Sequence, residues 1–286
     1  MPMSDHADPT RTCECSPKKR ERLLETATVA RQEVFRGDYR LIWMRAPRIA
    51  ASVRPGQFLH LRVPHLDAQL MRRPFSIFKV EGELLALLYK VVGSGTSRMA
   101  LLETGESMEL LGPLGNPYTP PEAGVHPVLV AGGYGTAAMY LLAQGCPEKG
   151  TLFIGGRTAG DILCAEDFEA LGWRVEIATE DGSRGTRGLV TTPLDAWLAR
   201  ARGRLKLYSC GPNGLLKVVS EIAKKRELPC EISVDMPMCC GVGACLTCVI
   251  KVRPAPPAEG AAESPSFEWA RTCTEGPVFD ARDVIW

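Results

Sequence analysis

The sequence predicts a β plus α/β protein: an antiparallel β-barrel, then a parallel-sheet α/β domain, then a small cysteine-bearing module. Three observations lead there. Residues 28–122 hold short apolar runs with Gly and Pro at close spacing between them. Residues 123–228 alternate buried-type strands with helical stretches. Residues 229–286 hold "CCGVGACLTC", four cysteines crowded among glycines, and a further cysteine downstream.

Length and composition bound the reading. A chain of 286 residues can bury two or three small cores. Its formal net charge of +1 gives no field that would draw nucleic acid or an acidic membrane. The longest apolar run, Val128 to Ala143, is shorter than a bilayer span and is broken by Gly132, Gly133 and Gly135. The opening "MPMSDHADPTRTCECSPKKR" has no apolar core of the kind a secretory signal needs, so a cytoplasmic protein is expected. Thiols stay reduced there, and clustered cysteines read as metal ligands or redox groups rather than disulfides. Of the eleven cysteines, Cys146, Cys164, Cys210 and Cys230 are scattered and read as small buried hydrophobes. Cys13 and Cys15 have no partner ligands near them in sequence and stay unassigned.

Residues 1–27 form a polar leader with a basic knot at Lys18, Lys19, Arg20 and Arg22, which reads as a solvated tail. The barrel follows in "YRLIWMRA", "GQFLHLRV", "ELLALLYKVVG" and "SMELLGPLG". The α/β domain begins with the strand "HPVLVAGG" and the helix "AAMYLLAQ". It continues through "GTLFIGGRT", a helix near "AEDFEALG", "RVEIATED", a helix near "TTPLDAWLARA", "LKLYSCGP" and the helix "NGLLKVVSEIAKKRE". In the last module "RPAPPAEGAAESPSFEW" is rich in breakers and reads as a flexible loop. No internal repeat is present.

Cys240, Cys245 and Cys248 fall in C-x4-C-x2-C, with Cys273 as a distant fourth, which is the ligand spacing of plant-type [2Fe–2S] sites. Gly241, Gly243 and Ala244 let the loop fold tightly and turn backbone N–H groups toward anionic sulfur. Zinc is the main competitor, but structural zinc favours two short cysteine pairs and only one C-x2-C is present. Pairing Cys239 with Cys245 would leave a five-residue gap, so Cys239 reads as a spare thiol beside the site.

The stretch "RRPFSIF" places Arg73, Pro74, Phe75 and Ser76 on a strand, with Arg73 and Phe75 facing one way and Pro74 and Ser76 the other. A guanidinium can clamp phosphate, a ring can stack on a heterocycle, and a hydroxyl can bond a ring nitrogen. Gly93, Gly95 and Thr96 precede a short helix, a second place for an anion. Each stretch alone is also an ordinary edge strand or glycine turn. "VLVAGGYGTAAM" puts Gly132, Gly133 and Gly135 between a strand and a helix, where backbone can approach a pyrophosphate. Cys210 and Gly211 of "YSCGP" stand at the carboxyl edge of the same sheet. Glu180 and Asp181 either accept a ribose hydroxyl or cap the "DGSRG" turn. The four histidines form no acid–base cluster with a nucleophile, so no catalytic residue is assigned.

A nicotinamide exchanges two electrons together and a [2Fe–2S] centre one at a time, so a flavin is needed to split the pair. The order barrel, α/β domain, cluster module resembles the ferredoxin–NADP reductase superfamily. More narrowly, the chain resembles the electron-transfer subunits of NAD-dependent, class 1B dihydroorotate dehydrogenases. "RRPFSI", "YKVVGSGT", "GPLGN", "AGGYGTAAM", "CGP", "CGVGACLTCVIK" and "CTEGPVFDARDVIW" carry that likeness over residues 29–286. The resemblance implies that Arg73, Pro74, Phe75 and Ser76, with Leu88, Tyr89, Lys90, Gly95 and Thr96, bind FAD. It implies that Gly132, Gly133, Gly135, Cys210 and Gly211 bind NAD, and that Cys240, Cys245, Cys248 and Cys273 ligate [2Fe–2S]. The implied partner is an FMN-containing catalytic subunit that oxidises dihydroorotate to orotate in pyrimidine (UMP) biosynthesis, in a heterotetramer of two subunits of each kind. Electrons would pass from FMN through the cluster and FAD to NAD+.

Tyr134 and Ala138 depart from the residues usual in such families, and the loop between Cys248 and Cys273 is longer than expected. Two alternatives stay open. One is a related flavin/iron–sulfur subunit of ferredoxin–NADP reductase or sulfide dehydrogenase type. The other is a zinc-stabilised interaction protein.

Overall fold

Seven strands form the first sheet: β1 (Leu23–Arg36), β2 (Tyr39–Arg45), β3 (Phe58–Arg62), β4 (Arg73–Ser76), β5 (Lys79–Glu81), β6 (Leu84–Lys90) and β7 (Ser107–Leu114). The computed structural model describes residues 22–65, 71–254 and 265–286. Strand order is β4-β3-β7-β1-β2-β6-β5, antiparallel at every pairing. Edge strands β4 and β5 are joined by only Ile77 and Phe78, both buried, so the sheet curls round into a barrel whose two edges come close in the chain but do not pair, leaving β4 open on its free side. Alternate residues of β1 (Leu23, Glu25, Ala27, Val29) point inward. The strand begins at Leu23, so Leu23 to Ala27, read above as leader, belong to the barrel. Glu25 is buried because its carboxylate accepts the Arg48 and Ile49 amides, at 3.1 and 2.8 Å, at the start of α1 (Pro47–Ala50).

The second sheet holds β8 (Val125–Gly132), β9 (Thr151–Gly156), β10 (Arg174–Thr179), β11 (Thr186–Arg187), β12 (Arg204–Cys210) and β13 (Cys230–Ser233), all parallel. Between β6 and β7 of the barrel lies α2 (Ser94–Met99). In the sheet domain α3 (Gly135–Ala138), α4 (Tyr140–Gly145), α5 (Ala165–Ala170), α6 (Thr191–Leu198) and α7 (Asn213–Lys225) connect the strands. The predicted helix "AAMYLLAQ" is thus two short helices divided at Met139. The hairpin β14 (Val249–Val252) and β15 (Glu268–Arg271) stands apart, and β16 (Val278–Asp280) returns antiparallel to β13. Sheet order is β11-β10-β9-β8-β12-β13-β16. The sheet therefore crosses the boundary read at residue 228. Strands β13 and β16, assigned above to the cysteine module, extend the α/β sheet.

Strand order reverses between β8 and β12, which opens a crevice at their carboxyl ends, the usual ligand position in such sheets. Barrel and sheet are joined by buried polar links. Tyr118 donates its hydroxyl to the Ser209 carbonyl at 3.2 Å, and Arg36 reaches the Ile162 carbonyl at 2.7 Å. No helix among the described residues is long and apolar enough to cross a membrane.

Candidate functional site

Two cavities open at the seam of barrel and sheet. The first, about 540 Å³, is lined by all nine residues expected to hold FAD: Arg73, Pro74, Phe75, Ser76, Leu88, Tyr89, Lys90, Gly95 and Thr96. Strand alternation predicts that Arg73 and Phe75 turn away from Pro74 and Ser76. The cavity reaches all four because β4 is an edge strand, open on its free side. Arg73 lies across the glycine loop, where a Cβ on Gly95 would stand 2.3 Å from its Nε. Only glycine permits that approach. The Arg73 guanidinium donates to the Met71 carbonyl at 2.8 Å. Phe75 and Tyr89 meet edge to face at 6.0 Å and form an aromatic wall. The Thr96 hydroxyl accepts the Val92 and Gly93 amides at 2.9 and 3.1 Å, so it shapes the loop.

The second cavity, about 670 Å³, fills the crevice and is lined by Gly132, Gly133 and Gly211 together with Tyr39, Arg157, Asp161 and Glu180. Gly135 and Cys210 line the first cavity instead, beside Gly211, which lines both. The two loops touch closely, since a Cβ on Gly135 would lie 2.5 Å from the Cys210 carbonyl oxygen. Glu180 faces the second cavity, whereas Asp181 accepts the Ser183 amide and hydroxyl at 2.9 and 2.6 Å and caps the turn. Tyr134 stands where the cavities join and lines both. Its hydroxyl donates to Asp235 Oδ2 at 3.3 Å. Asp235 is exposed, but the surrounding walls desolvate its carboxyl enough to raise it above its ordinary range, against the pull of that hydrogen bond.

The four predicted cysteine ligands come together from the β13–β14 loop and the end of β15. Their sulfurs meet in twos, Cys240 with Cys245 and Cys248 with Cys273. The Val242 and Ala244 amides donate to Cys240 Sγ at 3.5 and 3.3 Å. The Thr247 hydroxyl and amide, followed by the Cys240 amide, draw the Cys245 thiol down to about 6. Burial, then the neighbouring Cys248, pushes the Cys273 thiol up to about 12. Among the described residues no three Cys, His, Asp or Glu side chains converge as on a single metal ion. The C-x4-C-x2-C spacing with its distant fourth cysteine fits a two-iron centre, with two thiolates to each iron.

Unpartnered hydrogen-bonding groups surround these sulfurs. Thr272 Oγ1 and Thr274 Oγ1, on either side of Cys273, are buried without a partner among the described residues, and the buried His60 ring lies by Gly241, facing the Arg72 and Cys240 backbone without a hydrogen bond of normal geometry. Cys239 Sγ lies 3.6 Å from Met71 Sδ and beside Cys245. Cys13, Cys15 and much of the loop before Cys273 lie outside the described residues. Phe58, absent from the expected site, is both a wall of the first cavity and a member of the buried cluster that holds Cys248 and Cys273. Asp235 was likewise not foreseen. Both are placed by contacts distant in sequence, which no local motif records.

Barrel, crevice and paired cysteines together define a flavin- and nicotinamide-binding reductase with an iron–sulfur module. Residues 236–285 match the iron-sulfur cluster binding domain of dihydroorotate dehydrogenase B. The dihydroorotate dehydrogenase B (NAD(+)) electron transfer subunit of Shouchella clausii is 36% identical over 276 residues, covering 94% of this chain and 99% of that protein. Its counterpart in Desulforamulus reducens is 35% identical over 246 residues, covering 84% and 90%. The chain belongs to this family, the electron transfer subunits of dihydroorotate dehydrogenase B. Among solved structures, an NADH-dependent reduced ferredoxin–NADP oxidoreductase chain matches with a TM-score of 0.76 at 26% identity, over 91% of this chain and 90% of that one. The FAD/NAD-binding domain of a Vibrio cholerae nitric oxide dioxygenase shares the fold, with a TM-score of 0.63 at 19% identity over 74% of this chain and 99% of that one.

Proposed function

We propose that this chain carries electrons between the FMN of a dihydroorotate-oxidising catalytic partner and NAD+, in the cytoplasm, within a heterotetramer of two subunits of each kind. One observation carries the reading: the paired cysteines, the first cavity and the second cavity are contiguous. Phe58 separates the first two, and Tyr134 and Gly211 join the last two. A [2Fe–2S] centre supplies single-electron exchange, FAD both single and paired exchange, and NAD+ hydride exchange.

The residues have distinct tasks. Arg73 is placed to hold a phosphate of FAD, with Gly95 giving it room. Phe75, Tyr89 and Leu88 supply apolar wall, while Pro74, Ser76, Lys90 and Thr96 set the edge strand and loop. Gly132, Gly133 and Gly135 let the nucleotide approach the backbone, and Cys210 with Gly211 closes the nicotinamide end. Cys240, Cys245, Cys248 and Cys273 hold the irons. Residues 23–122 thus serve FAD, the crevice serves NAD, and the cysteine loop with the β14–β15 hairpin serves the cluster.

Copurification of the native assembly tests this. The expected partner contains FMN, and the complex forms orotate from dihydroorotate with NAD+. A partner without FMN, or no orotate, removes the reading in favour of a ferredoxin–NADP reductase type subunit, the one the 0.76 TM-score neighbour resembles.

A further inference from the structure

Strand β3 separates the two redox sites, and its alternation assigns its residues to opposite tasks. Leu59 and Leu61 point into the barrel core. Phe58 and His60 therefore share the other face. Phe58 shares a buried cluster with Leu114, Cys248 and Cys273. His60 lies under the other end of the cysteine loop, where a Cβ on Gly241 would stand 2.5 Å from its Nδ1. One strand face is thus the floor of the whole cysteine site. The same strand pairs with the Arg73–Ser76 strand, His60 opposite Pro74.

His60 is fully buried, and its ring faces the Arg72 and Cys240 backbone carbonyls without a hydrogen bond of normal geometry to either. A neutral imidazole carries one N–H donor, which the interior does not leave unused without cost. Gly241 precedes Val242, whose amide points at Cys240 Sγ at 3.5 Å, and the Ala244 amide follows at 3.3 Å. A ring pressed against Gly241 fixes the direction of those amides.

We propose that His60 is a positioning residue for the iron–sulfur centre: its buried ring braces Gly241, lends an N–H to the Cys240 end of the loop, and raises the centre's reduction potential. The reason is electrostatic. An added electron places negative charge on sulfur, and donors aimed at sulfur stabilise the reduced form. Losing the brace slackens those donors and makes reduction harder. The proposal rests on the cysteines holding [2Fe–2S], as set out above.

The test uses the full chain, purified without oxygen, as wild type, His60→Leu and His60→Gln. FAD and iron content are measured first, then the midpoint potential of the iron–sulfur centre by EPR-monitored titration. With flavin and iron retained, His60→Leu is expected to shift the reduction equilibrium at least tenfold toward the oxidised form, which is 59 mV for a one-electron couple. His60→Gln, which keeps an N–H donor, is expected to recover more than half of that shift. A wild-type potential in iron-replete His60→Leu overturns the proposal. Should His60→Leu not hold iron, pulsed EPR on reduced wild type carrying 15N-histidine decides. A nitrogen coupling to the centre that vanishes in His60→Gln supports the proposal, and absence of any such coupling overturns it. Wild type without iron would instead remove the functional reading itself, before any variant is compared.

Discussion

Tyr134 and Asp235 meet at 3.3 Å at the solvent-exposed mouth where the first and second cavities join, a phenol donating to a carboxylate. The two come from separate elements, the loop after β8 and the segment after β13. Their contact bridges the crevice on the side facing the flavin cavity. Because desolvation by the surrounding walls disfavours the charged carboxyl, its folded pKa lies above the unfolded one. The folded state then holds the proton more tightly, and stability falls as pH rises from the unfolded pKa through the folded one. Because Asp235 is exposed and solvent screens its charge, replacing it with Asn is expected to raise Tm only slightly at neutral pH, and that small gain should vanish below the ordinary carboxylate range, at about pH 3.9. Thermal melts across pH check this. A loss at neutral pH would assign Asp235 a net stabilising charge, and a gain that persisted into acid would show an effect independent of that charge.

Replacing Arg73 with Ala is expected to release FAD. A hydrogen bond to a charged group is worth about 1.5–3 kcal/mol, so flavin affinity should fall by about ten- to a hundredfold. Flavin absorbance after gel filtration reads this directly. Unchanged flavin content would place the phosphate elsewhere.

Replacing Cys248 with Ala removes one thiolate from a pair, and is expected to abolish the iron–sulfur signal. NADH should still reduce FAD, because both cavities are built from the barrel and sheet. Anaerobic stopped-flow absorbance separates the two events. Loss of flavin reduction along with iron would show that the sites depend on one another, through Phe58 and the shared seam.

Gly135→Ala places a Cβ 2.5 Å from the Cys210 carbonyl oxygen, and backbone cannot yield there as a side-chain tip can. NADH KM is expected to rise, and because Gly135 also lines the first cavity the FAD content is measured alongside. A normal KM would show that the loop relaxes without moving the nicotinamide end.

Much of the architecture was legible in the sequence, and the exceptions have physical causes. The barrel strands from Tyr39 onward show apolar runs, but the first half of β1 buries Glu25 and Ala27, which read as solvent-facing. Strands β13 and β16 have only four and three residues, too short for a pattern. The four cysteines were legible because metal binding fixes ligand spacing along the chain. Phe58, His60 and Asp235 were not, because each acts through a neighbour far away in sequence. Alternation on β4 gives which side each residue faces, and all four nevertheless line the first cavity, because an edge strand is open on its free side.

The most direct measurement is the anaerobic visible spectrum and metal content of the isolated chain, before and after NADH. The expected preparation is coloured, binds FAD and iron with acid-labile sulfide, and is bleached by NADH. A colourless chain whose cysteines hold zinc, with no flavin bound, would contradict the proposed electron path.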